Sequence, residues 1–161
     1  MRPERKKLYD WAEEFCHKKL KDKGEIPPTF AGMTERGDMH IIPLAPFMRD
    51  GNAKEMGRVI VKAFAERHKL VAAVFFSEMW TVAEMTEEEW NKPGTPMPRN
   101  HPRRIEGVWI SVEDDYGAEN RFFKMLRKGK RVWMEDMEFP FPLKDMEYAN
   151  AWSVLAPVKS N

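Results

Sequence analysis

The chain has 161 residues, a formal net charge of +1, 42% hydrophobic and 33% charged residues. That length gives one domain with a proper core, and that apolar content excludes a wholly disordered chain. The near-zero charge argues against a dedicated non-specific nucleic-acid binder, and the single cysteine, Cys16, excludes an internal disulfide or a cysteine-based zinc site and fits a reducing compartment.

The N-terminus, MRPERKKLYDW, is basic but reaches no apolar segment, so no secretory signal is read there. Pro3 suits the first turn of a helix over about residues 3–23. Leu8, Trp11, Ala12, Phe15, Cys16 and Leu20 recur at helical spacing. Acids early and lysines late complement the helix dipole, and Gly24 is placed to end the helix. Residues 25–37, EIPPTFAGMTERG, hold two prolines and two glycines and read as a loop. A short strand over about Met39–Leu44 follows, pushed to a sheet edge by Pro43.

A second helix is predicted in RDGNAKEMGRVIVKAFAERHKL, capped by Asp50 or Asn52. Met56, Ile60, Ala63 and Phe64, with Val59 beside them, are its expected buried stripe, and Gly57 implies close packing against a neighbour. The apolar run from Leu70 reads as a central strand. Strand, helix and strand in succession predict a crossover between parallel neighbours. The longest apolar run, Leu70–Phe76, is too short to span a bilayer, so no membrane partner is expected and the expected location is cytoplasmic.

Residues 83–103 are predicted to be an irregular loop, with Thr86 and Glu89 capping about one helical turn. From Ile105 three strands joined by short Gly-containing turns form a meander, the strongest hairpin signal in the chain. Val108, Ile110 and Val112 fall on one face of its first strand, with Trp109 on the other. FPFPLKDMEYAN is a proline-broken connector, and AWSVLAP a short final strand.

The chemistry-bearing residues are few. Glu78 lies inside VAAVFFSEMWTV, where burial raises a carboxyl towards the range of a general base. Alternation puts it on the face of Phe76 and Trp80, so it needs a partner, and Arg103 or Arg104 are the expected ion-pair partners. The candidates for catalysis are Glu78, His40 and His101. The four histidines have no metal-ligand spacing, so no metal and no cofactor is expected. No nucleophile elbow or phosphate-binding glycine loop is present, and Cys16 lies on an apolar helix face. Arg99, Arg103, Arg104, Trp80 and Trp109 are candidate binding residues. A second basic cluster, from Arg121 to Arg131, reads as a solvated hairpin diluted by the acids around it.

The stretch VFFSEMWTV, the proline loop and HPRRIEGVWISVEDDYG together resemble a pattern in small proteins of bacteria and their phages. In that pattern a strand ends in Ser/Ala-Glu-x-Trp, a Pro-x-Arg-like loop follows, and a second strand ends in acids and a tight turn. The matching positions are Ser77, Glu78, Trp80, Pro102, Arg104, Glu106, Glu113 and Asp114, across the central third of the chain. The resemblance implies no activity, but it singles out Glu78 and Arg104.

The expected fold is therefore a single α+β domain over residues 1–161, with two amphipathic helices packed on one face of a mixed, mostly antiparallel sheet of five or six strands. The expected function is a non-catalytic binding or accessory protein, encoded by a phage or mobile element. The alternatives are a hydrolase-like enzyme using Glu78 with a histidine, and a nucleic-acid-associated protein using the basic loop and hairpin. Expected partners are a protein, a nucleic acid or a second copy in a homo-oligomer.

Overall fold

The computed structural model describes residues 2–82, 86–96, 98–138 and 152–155. Helix α1 spans Pro3–Lys23 and buries Leu8, Ala12, Cys16 and Leu20, with Trp11 and Phe15 packed beside them. Gly24 ends it in the left-handed region, φ 73°, where its N–H reaches the carbonyls of Lys19 and Leu20. The periodicity, the proline and the terminal glycine were all legible, because each acts within the helix itself.

Six strands follow: β1 (Thr29–Thr34), β2 (Met39–Pro43), β3 (Leu70–Thr81), β4 (Ile105–Asp114), β5 (Gly117–Lys128) and β6 (Arg131–Asp136). They form one sheet in the order β2-β1-β3-β4-β5-β6. Every pairing is antiparallel, so the sheet has no parallel ladder. The α+β class and the two packed helices are as expected.

Three particulars differ. First, β1 falls in the segment expected to be a loop. Pro27-Pro28 stop just short of it, and Thr29 to Met33 are all buried between β2 and β3. The Leu70 side chain lies over Gly32, in the space a Cβ there would take.

Second, α2 (Gly51–Arg67) and α1 lie on opposite faces of the sheet. Along β3, Ala72, Val74 and Phe76 pack with α1, whereas Ala73 and Phe75 pack with α2. Strand alternation makes these two sets face opposite ways. The helix is capped by Asp50, which accepts from the Ala53 N–H at 2.8 Å. It buries Gly57, Val61 and Ala65; of the expected stripe Phe64 packs on this core, whereas Met56, Val59, Ile60 and Ala63 face solvent. Third, β2 and β3 do run parallel, but β1 is inserted between them, so the crossover skips a strand.

The two hairpin turns of the meander are as predicted, joining Asp114 to Gly117 and Lys128 to Arg131 in two residues each. Helix α3 (Glu87–Asn91) is the expected single turn, with the Thr86 hydroxyl accepting from the Glu89 N–H at 3.2 Å. Residues 152–155, the described part of AWSVLAP, form no strand, and Ala151, Ala156 and Pro157 lie outside the described residues. The connector FPFPLKDMEYAN begins just beyond Glu138 and lies outside the described residues.

Candidate functional site

Glu78 sits near the end of β3, on the α1 face, half-buried beyond the C-terminus of that helix. Its Oε1 accepts a 2.7 Å hydrogen bond from the backbone N–H of Ile26, in the chain leaving α1. Burial pushes the carboxyl above its ordinary value, the Ile26 N–H offsets part of this, and Glu106 pushes it further up. Neither expected arginine is its partner. Arg103 pairs with Glu89 at 2.8 Å, and Arg104 lies over the Trp80 ring at 5.4 Å. The adjacent ion pair is Arg127 with Glu106, bidentate at 2.6 and 3.0 Å. The partner was expected at the start of the next strand; the arginine beside this site instead comes from β5 and pairs with Glu106.

Of the three catalytic candidates, Glu78 and His40 do not converge. His40 pairs in register with Gly32, which pairs with Ala73, five residues along β3 from Glu78. Five residues of strand are about 17 Å. His40 also points to the α2 face, packed on Phe64 and His68 with ring centroids 5.5 and 4.6 Å away, whereas Glu78 points to the α1 face. His101 is buried at 7% exposure, and its Nδ1 accepts from the Arg103 N–H at 3.1 Å. That bond places the ring proton on Nε2. His101 lines a cavity of about 280 Å³ with Glu89, Lys92, Thr95 and Arg103. Among the described residues no cluster of three or more His, Cys, Asp or Glu side chains could hold a metal ion.

Of the binding candidates, Trp80 is 44% exposed, while Trp109 is buried at 2% and packs with Phe122, Met79 and Met137. Its Nε1 donates to Asn120 at 3.2 Å, so Trp109 belongs to the interior and not to a recognition surface. Arg99 and Arg103 are exposed on the 98–104 segment. Trp80 faces the same side of the sheet as Glu78 and pairs with Glu106 in register. The geometry therefore gathers Trp80, Arg104 and the Glu106–Arg127 pair at one end of the α1 face. On the hairpin, Arg121 pairs with Asp136 at 2.6 Å and Arg131 covers Trp133, so part of its basic charge is already matched.

Two acids have structural duties that the sequence did not reveal. Asp114 is fully buried and accepts from the N–H groups of Arg2, Tyr116 and Gly117 and from the Arg5 guanidinium. Burial alone would raise its carboxyl, but these donors together hold it below the ordinary carboxylate value. Glu113, on the other face, accepts from Ser153 Oγ at 2.5 Å and from the N–H groups of Val154 and Leu155 at 2.6 and 3.0 Å. It anchors that short segment beside Trp152, which stacks on Phe75. An acidic strand end before a tight turn was the visible signal, but it reads equally well as solvent-facing charge.

No protein-family model, curated protein or solved structure matches this chain. No helix among the described residues is long and apolar enough to cross a membrane.

Proposed function

We propose that this is a non-catalytic binding or accessory protein whose recognition surface is the Trp80–Arg104 end of the α1 face, flanked by Arg99 and Arg103. The observation that carries the reading is the exposed Trp80 indole under the Arg104 guanidinium. Tryptophan and arginine are the residue types that dominate the energetics of protein interfaces, and their exposure on a rigid sheet limits the entropy lost on binding. Both lie on or beside β3 and β4, the centre of the sheet. The partner is a protein presenting an acidic or planar group to that pair. A phage or mobile-element origin rests on the resemblance of the central third alone.

The Glu78–His40 form of the enzymatic alternative gains no support from the geometry, since the two face opposite ways and Glu78 already accepts from a backbone N–H. The nucleic-acid alternative is weakened by the paired arginines of the hairpin.

The test is affinity capture from the cells of origin with the wild type, Trp80→Ala and Arg104→Ala. A co-purifying protein that both variants lose by tenfold or more, with thermal stability unchanged, is the expected result. A capture identical for all three chains overturns the reading. Labelled single-stranded DNA bound at low salt, and lost on Arg99→Ala or Arg103→Ala, replaces it with the nucleic-acid reading.

A further inference from the structure

We infer that β2 and the solvent-facing stripe of α2 form one self-association surface, and that its occupant is a second copy of this chain. The backbone of the edge strand carries the first part of the argument. The Leu44 N–H donates to the Pro28 carbonyl and the Thr34 N–H to the Asp38 carbonyl. Both contacts belong to the β1–β2 register, in which Phe30 faces Ile42 and Gly32 faces His40. Even-numbered residues of β2 therefore spend their backbone groups on β1. Met39 and Ile41 direct theirs to an edge that no strand among the described residues pairs with, and Pro43 offers only a carbonyl. Such a row is self-complementary. Antiparallel pairing centred on Ile41 joins Ile41 to Ile41 of the second copy by two hydrogen bonds. It also joins each Met39 N–H to the opposite Pro43 carbonyl.

Beyond Pro43, which lacks a donor, no charged side chain on this edge resists pairing. Its sequence, MHIIP, has no Lys, Arg, Asp or Glu, and Met39 and Ile41 are 38% and 49% exposed. The opposite edge, β6, carries exposed Arg131, Glu135 and Asp136.

The second part is the helix above. Phe64 and His68 touch His40 of β2, whereas Gly57 and Arg58 touch Trp152, which stacks on Phe75 of β3. On a helical wheel Ile60 and Met56 continue from the Phe64 side, so they lean towards the β2 edge. They are 41% and 61% exposed, with Val59 at 60% beside them. A two-fold axis normal to the sheet at Ile41 would keep faces aligned and set the two α2 helices antiparallel on one face. Pairing of five backbone residues alone would not offset the freedom lost on association, so the helix stripe is needed too. The product is a continuous twelve-stranded sheet with its two Trp80 ends pointing in opposite directions along the strands.

The test is sedimentation equilibrium of the full chain, with residue-resolved amide exchange by NMR. The expected result is a mass of twice 19.0 kDa at high micromolar concentration. Ile41→Lys and Ile60→Lys should each weaken the dimer at least tenfold without lowering the melting temperature of the dilute protein, since both side chains are exposed. The Met39 and Ile41 amides should gain protection only in the dimer, while those of His40 and Ile42 are protected throughout. A monomer at every concentration overturns the inference. So does a dimer insensitive to either substitution, or protection of Met39 and Ile41 that appears only on adding an extended peptide.

Discussion

Glu78 and Asp114 are both acids on β strands, and their surroundings treat them oppositely. Glu78 has one strong backbone donor against burial and the nearby charge of Glu106, so its carboxyl is raised above the ordinary 4.5. The folded chain thus holds a proton that the unfolded chain has released, and stability falls as pH rises from 4.5 through the folded value. Gln keeps an acceptor for the Ile26 N–H and carries no charge. Glu78→Gln should therefore be neutral or stabilising at pH 8, whereas Glu78→Ala, which leaves that N–H without its acceptor, should cost about 1–2 kcal/mol in urea unfolding. A large loss in Glu78→Gln would show that the charge itself holds the fold. Asp114 collects three backbone donors and a guanidinium, and its carboxyl is lowered. Its contribution is fully present above the ordinary 3.8 and is lost as pH falls through the folded value. Asp114→Asn turns an amide against those donors and should cost about 2–3 kcal/mol at pH 7. The difference from wild type should shrink as the pH is taken down below 3.8 in the same measurement.

At the scale of elements, legibility followed how locally each signal acts. Helix α1, the Asp50 cap, the Thr86 cap and both hairpin turns are decided by a few consecutive residues, and all were readable. β1 was hidden because TFAGMT owes its strand to two neighbours and to a Leu70 side chain over Gly32. The face of α2 was misread because it carries apolar residues on two sides, and only the tertiary fold chooses between them. Gly57 was read correctly as a close contact, and that contact sets a sign. A Cβ there would lie 2.7 Å from Phe47 Cβ and 3.1 Å from Trp152 Cη2. Helix propensity alone makes Gly→Ala worth about 1 kcal/mol of stabilisation. Overpacking against two rings costs about 1–3 kcal/mol. Gly57→Ala should therefore lower the urea midpoint with an unchanged slope, and a raised midpoint would mean that Phe47 and Trp152 move aside at no cost.

Across the whole molecule, the two faces of the sheet are unequal. α1 packs against β1, β3, β4 and β6 and buries a residue at every turn along most of its length, on a core reaching from Met33 to Met134. α2 buries Gly57, Val61 and Ala65 over the β1–β3 side, and β2 beneath it is an edge strand with no buried residue. The sequence pointed to two amphipathic helices and a largely antiparallel sheet but not to this division, because the face a helix covers depends on strand order. The recognition candidates were similarly half legible: Trp80 and Arg104 are brought together, whereas Trp109 is drawn inside by Phe122 and Asn120. Local opening free energies follow buried apolar contact. The β2–α2 unit should therefore open well before the α1–β3–β4 core. Native-state hydrogen exchange on the Ile41→Lys chain, which removes self-association from the comparison, checks this. Amides of Val61, Ala65 and Ile42 should exchange through openings at least tenfold more populated than those protecting Ala12, Cys16, Val74 and Ile110. Equal protection of the two sets would mean that the sheet transmits the stability of the α1 face to the other side, and that the molecule unfolds only as a whole.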